Sequence, residues 1–167
     1  TSKTITIKVT RNEIVFYYAK RTDLSYTVKY LEQGTNTELS TKTVNGQTFE
    51  ETVTENAVDI EGYNKVEPTT ETITIDVENN VINFYYTKRS DLSYTVNYLE
   101  KGSNLPLADA KVVNDQIFGA SVTETAKAIP GYTPVAPTSQ TITIKIEDNV
   151  INFYYERAVY SYTVNYL

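Results

Sequence analysis

The chain has 167 residues, a net charge of −6 and a pI near 4.7, with 40% hydrophobic and 22% charged residues. It contains 15 Tyr but no Cys, His, Met or Trp. These absences remove disulfide staples and thiolate metal sites, the usual general base and commonest metal ligand, and every Ser/His/Asp or Cys/His nucleophile system. Acidic residues fall in turns or on polar strand faces, so paired-carboxylate catalysis is not expected either, and the chain reads as a non-enzyme. No Lys/Arg-rich face points to nucleic acid, and no run of 18 apolar residues points to a membrane span. Neither a signal peptide nor an anchor is visible, and the sequence reads as a piece of something longer.

Thr4 to Val9 alternates Ile5, Ile7 and Val9 against Thr4, Thr6 and Lys8, as a half-buried strand does. A polar break at Arg11-Asn12-Glu13 and a second run at Ile14 to Tyr18 complete the pattern of a hairpin. The same pattern returns at Thr72 to Tyr86 around Glu78-Asn79-Asn80, and at Thr141 to Tyr155 around Glu147-Asp148-Asn149. Asn and Asp suit such turns because they tolerate positive φ. In the second strand, Ile82, Phe84 and Tyr86 are expected to face the core, with Asn83 and Tyr85 facing out. Short charged junctions without Gly or Pro follow, at 19–25, 87–93 and 156–161, which argues for stiff connections.

After each junction comes S-Y-T-V-x-Y-L, another alternating strand, with Tyr26, Tyr94 and Tyr162 at a constant spacing of 68 residues. A recurrence of this kind marks an array of like modules. Gly34 and Gly102 signal a turn, and Glu38 to Val44 and Leu107 to Val113 read as the next strand. Phe49, Val53 and Ala57 are spaced by four, as are Phe118, Val122 and Ala126, with polar Glu50, Glu51 and Glu55 between the first set. That spacing predicts one or two turns of helix in each module. Gly62-Tyr63 and Gly131-Tyr132 follow, where the glycine supplies a special backbone conformation and the ring plugs the module's end. Pro68 and Pro137 close the extended segments that lead on.

In order, one unit reads Y-T-V-K-Y-L-E-x-G, a second strand, N-G-Q-T-F, a helix, G-Y, T-I-T-I and V-I-N-F-Y-Y. This resembles the MucBP (mucin-binding protein) repeat of Gram-positive surface adhesins. In the first copy the resemblance is carried by Tyr26, Val28, Tyr30, Gly34, Gly46, Phe49, Gly62, Tyr63, Val81, Phe84 and Tyr86. In the second it is carried by Tyr94, Val96, Tyr98, Gly102, Phe118, Gly131, Tyr132, Val150, Phe153 and Tyr155, with Asp115 standing where the pattern has Gly. It implies a β-rich α+β fold, with two tandem ubiquitin-like β-grasp repeats in an elongated rod and partial repeats at both ends. The expected divisions are 1–20 as the terminal hairpin of a preceding repeat, 24–88 and 92–157 as whole repeats, and 160–167 as the first strand of a following one. A different phase, with units of about Thr4 to Pro68 and Thr72 to Pro137, also fits the residues.

The resemblance further implies an extracellular, wall-attached protein that adheres to host mucin or another glycoprotein, or else a stalk that projects a distal binding domain. Sugars stack on aromatic faces, and the outward candidates are Tyr17, Tyr85 and Tyr154, with Asn83 and Asn152 beside two of them. The competing reading of these tyrosines is packing between modules. No cofactor is expected; the acidic turns at Asp76 to Asn80 and Lys145 to Asn149 offer oxygen atoms to Ca²⁺ but lack the spacing of a dedicated loop. The orphan hairpin and orphan end strand suggest head-to-tail self-association between neighbouring molecules.

Overall fold

The computed structural model describes residues 2–166, and Thr1 and Leu167 lie outside the described part. Among the described residues the chain forms twelve strands and no helix. The first repeat comprises β1 (Leu24–Glu32), β2 (Glu38–Gln47), β3 (Thr52–Asn56), β4 (Tyr63–Lys65), β5 (Thr70–Thr74) and β6 (Val81–Lys88). The second repeats the pattern as β7 (Leu92–Glu100), β8 (Pro106–Gln116), β9 (Ser121–Thr125), β10 (Tyr132–Pro134), β11 (Ser139–Thr143) and β12 (Val150–Arg157).

Each repeat contains a four-stranded mixed sheet, ordered β2-β1-β6-β4 in the first and β8-β7-β12-β10 in the second. A two-stranded antiparallel ribbon, β3-β5 or β9-β11, stands apart from the sheet. β1 pairs antiparallel with β2 and parallel with β6, with Val28 opposite Ile82 and Tyr30 opposite Phe84. Alternation along β1 buries Tyr26, Val28 and Tyr30, and along β6 it buries Ile82, Phe84 and Tyr86, as the sequence pattern anticipates; Leu24, expected in the junction, is buried with them. Tyr30 and Phe84 stack with ring centroids 6.0 Å apart, and Tyr98 and Phe153 do the same at 6.4 Å. Burying side chains of this size stabilises by roughly 1.5–3 kcal/mol each. The buried phenols are satisfied: Tyr86 donates to the Val58 carbonyl at 2.8 Å and Tyr155 to that of Lys127 at 2.9 Å.

The expected helix is absent, so the fold is all-β and not α+β. The ribbon occupies this part of each repeat. On β3 the inward residues are Val53 and Glu55, and the outward ones are Thr52, Thr54 and Asn56. The period is two, as β-branched Thr-Val-Thr favours; the Phe49/Val53/Ala57 spacing mimicked a helix because an acidic residue takes an inward place.

The expected hairpins are also corrected. β5 pairs with β3, while β6 pairs with β1 and β4, so the Glu78-Asn79-Asn80 turn carries the chain from ribbon to sheet. Ile75 lies within this connection and is fully buried, and its counterpart Ile144 does the same. Asn80 fixes the corner by accepting from the Asp76 N–H at 2.8 Å and donating to the carbonyls of Asp76 and Ser25 at 2.8 and 3.1 Å. Asn149 makes the same three bonds to Lys145 and Ser93. Asn79 and Asp148 take positive φ, as turn residues of this type do.

The end segments form no strand among the described residues. Residues 2–20 stand at the places of β5 and β6, yet in the repeats those strands pair only with β1-, β3- and β4-type strands, which that segment does not contain. The corner turn persists locally: Asn12 closes on Lys8 through two bonds of 2.6 and 2.7 Å, and Arg11 takes positive φ. Phe16 at the place of Phe84 is 43% exposed, and Tyr162, at the place of buried Tyr26 and Tyr94, is also exposed. The expected strand at 160–167 is likewise not formed as far as residue 166, and Leu167 is not described. With both ends unpaired, nothing in the fold supports head-to-tail self-association through them. Asp115, by contrast, changes little: it takes φ 56° where Gly46 takes 74°, so the irregularity near the end of β8, where its pairing with β7 shifts register, keeps the left-handed form.

Candidate functional surfaces

Four side-chain groups stand out, and each is built in both repeats or at their meeting point. The first is a clasp between sheet and ribbon. Tyr26 on β1 donates its hydroxyl to Glu55 on β3 at 2.6 Å, and Lys42 on β2 donates to the same carboxylate oxygen at 2.7 Å. The second repeat reproduces it with Tyr94, Glu124 and Lys111, at 2.6 and 2.6 Å. The Glu55 and Glu124 side chains are each only 13% exposed. Lys42 first, then Tyr26, holds the Glu55 carboxyl below its ordinary range, and Lys111 and Tyr94 do the same for Glu124. Reciprocally, the Glu55 carboxylate, with burial, pushes the Tyr26 phenol up to about 12. The sequence reading missed this group because it placed Glu55 on a helix's polar face. The signal was present, since Tyr, Lys and Glu recur together at 26/42/55 and 94/111/124.

The second group is the outward face of β6 and β12. Tyr85 and Tyr154 face out, each 37% exposed, with Asn83 exposed and Asn152 half-buried beside them. They sit one pair per repeat and do not meet. Tyr17 is exposed in the strand-free segment and is not brought to either pair. Around Tyr154 the surface forms an open depression of about 320 Å³, lined among others by Pro137, Gln140, Val150 and Asn152. Asn97 donates to the Asn152 side chain at 2.9 Å, and Gln140 donates to the Asn152 backbone carbonyl at 2.7 Å. In the first repeat Lys29 faces Asn83 in the sheet, so the chemistry of the two faces differs.

The third is the pair of acidic turns considered for Ca²⁺. The Asn80 and Asn149 side chains are committed to the corner bonds described above. Among the described residues no group of three or more Asp or Glu side chains is placed to hold a metal ion. No helix of the described residues is long and apolar enough to cross a membrane.

The fourth is the joint. The Gly62-Tyr63 turn of the first repeat packs on Phe118 of the second, with the Tyr63 and Phe118 rings edge-to-face at 5.8 Å. Arg89, in the connection, donates its N–H to the Gly62 carbonyl at 2.9 Å and accepts from the Phe118 N–H at 2.9 Å. Gly62 takes φ 82°, and an added Cβ would overlap the Phe118 ring.

These features define a class: a tandem all-β repeat with apolar cores, fully partnered buried polar groups among the described residues, and open polar surfaces. No family model matches the chain, and no curated protein matches it. Among solved structures it is similar to Mub-RV at 14% identity and a TM-score of 0.30, covering 81% of this chain and 99% of that one. It is similar at 13% identity and 0.30 to the type 2 repeat of the mucus binding protein MUB from Lactobacillus reuteri, covering 80% and 99%. A Streptococcal ancillary pilin matches at 11% identity and 0.33, covering 80% of this chain and 62% of the pilin.

Proposed function

We propose that the chain is a non-enzymatic repeat segment of an extracellular adhesin of the Gram-positive cell surface, in which the repeats act as spacers. The observation that carries this reading is duplication: the clasp, the corner bonds and the stacked aromatic core each occur in both repeats, and one repeat packs directly on the next. Devices copied in this way serve folding and stacking. A sequence without His or Cys also lacks the commonest catalytic side chains.

A second reading, contact with a mucin-type glycoprotein, is favoured by the Tyr154 depression. There a half-exposed aromatic face lies beside amide groups of Asn152 and Gln140 that suit sugar hydroxyls. The test is binding of the intact chain to immobilised mucin, with and without deglycosylation, beside Tyr154→Ala and Tyr85→Ala. A spacer shows no binding above an unrelated acidic protein. Saturable binding lost on deglycosylation and in Tyr154→Ala establishes the second reading instead.

A further inference from the structure

The joint uses two surfaces, and each recurs elsewhere in the chain without its partner. The receiving surface in the second repeat is Phe118 with the Arg89 carbonyl. In the first repeat the same surface is already assembled: the Phe49 N–H donates to the Arg21 carbonyl at 2.9 Å, as Phe118 does to Arg89. It opens onto a mostly apolar depression of about 350 Å³ lined by Tyr18, Ala19, Lys20, Arg21, Phe49 and Val77. The inserted surface is the Gly-Tyr turn. Its second version is also preformed: the Gly131 carbonyl accepts from the Ala158 N–H at 2.8 Å, as that of Gly62 accepts from Arg89, and φ is 80° against 82°. Burial separates the two turns. Gly62 is buried beneath Phe118, while Gly131 is exposed and a Cβ there would meet nothing within 4 Å.

We propose that the depression beside Phe49 is a docking surface for the Gly-Tyr turn of another repeat of this kind, and that Gly131-Tyr132 is the matching face at the far side. The proposal rests on the tandem-repeat reading above and names its partner. Glycine is required in the inserted turn twice over, by the left-handed backbone and by the ring that lies against it. A repeat carrying any side chain at that position is excluded from the socket. The surface therefore selects repeats of the same type.

The test uses a three-repeat chain, residues 1–91 followed by residues 24–167, so that the added unit's Arg89-Ser90-Asp91 stands where Arg21-Thr22-Asp23 stood. The readout is the NMR ring signals of Phe49 in the middle unit, assigned with Phe49→Leu. On docking they move from their two-repeat positions toward those of Phe118, under the ring current of the added Tyr63. Tyr63→Leu in the added unit reverses the shift, and Gly62→Val there abolishes it. Signals from the added unit's Tyr30 and Phe84 core verify that it has folded. With that unit folded, unchanged Phe49 signals, or a shift that survives both substitutions, overturn the proposal. Neither result depends on mucin binding, so docking and the spacer reading fail separately.

Discussion

Tyr26→Phe isolates the clasp that ties the ribbon to the sheet. The substitution keeps the ring, which packs in the core, and deletes one hydroxyl that donates to a nearly covered carboxylate at 2.6 Å. Hydrogen bonds to charged groups stabilise by about 1.5–3 kcal/mol. Lys42 still partners the carboxylate, so a loss near the lower figure, about 1.5 kcal/mol, is expected. For a unit of this size that lowers the unfolding midpoint by roughly 6–12 °C. Tyr94→Phe should cost the same, and the double variant their sum, because well-separated sites without shared partners add. The pH dependence gives a separate check. Glu55 and Glu124 are held below their ordinary range in the fold. Their contribution is complete above the pKa of an unfolded glutamate, about 4.3, and is lost as the pH falls through the folded value. Thermal melts of the wild type between pH 7 and pH 3 should therefore lose stability on the acid side, with a shallower slope in Glu55→Gln/Glu124→Gln. A Tyr26→Phe loss below about 0.5 kcal/mol, the range of ordinary surface substitutions, or an unchanged acid slope in the double Gln variant, refutes the clasp as a source of stability.

Alkaline absorbance titration should show Tyr26, Tyr86, Tyr94 and Tyr155 ionising above the ordinary phenol range: all four are raised, Tyr26 and Tyr94 mainly by their carboxylates and Tyr86 and Tyr155 mainly by burial. Their contribution to stability is full below the unfolded phenol's pKa of about 10 and disappears as the pH rises toward the folded values. Phe153→Ala should cost about 3–5 kcal/mol in urea unfolding, because that ring is fully buried. Phe16→Ala, at the same place in the end segment, should stay within about 0.5 kcal/mol, and equal losses would mean that the end segment packs as the repeats do. Asn149→Ala removes a buried amide with three backbone bonds and should cost about 2–3 kcal/mol while speeding hydrogen exchange at Lys145.

The sheet was legible because its alternation is strict. Tyr26, Val28 and Tyr30, and Ile82, Phe84 and Tyr86, fill every second position and are all buried, while Val81 and Tyr85 take the opposite, exposed face. The ribbon was not legible, because Glu55 occupies an inward position that a pattern of apolar residues leaves blank. Only the hydroxyl and ammonium from β1 and β2 make that position tolerable for a carboxylate, and both lie far away in sequence. The corners failed for a different reason. Asn79 and Asp148 with positive φ serve a hairpin and a layer crossing equally well, and the deciding residue, Ile75, looked like one more member of an alternating strand. The outward direction of Tyr85 and Tyr154 was legible from the same alternation. What local pattern could not supply was the joint, because Gly62 and Phe118 meet only after both repeats have folded.

The parallel pairing of β1 with β6 has a mechanical consequence. The chain enters a repeat at the start of β1 and leaves at the end of β6, and these strands are adjacent and point the same way. Tension on the two ends of a repeat therefore pulls the strands past one another along their length. The ladder from Thr27–Val81 to Glu32–Tyr86 is loaded in shear, with its hydrogen bonds sharing the force, whereas an antiparallel end pair would open one bond at a time. The second repeat bears load in the same way from Thr95–Val150 to Glu100–Tyr155. A chain built this way resists stretching through the middle of each sheet, where the stacked rings of Tyr30 and Phe84, and of Tyr98 and Phe153, also have to slide before the strands can part.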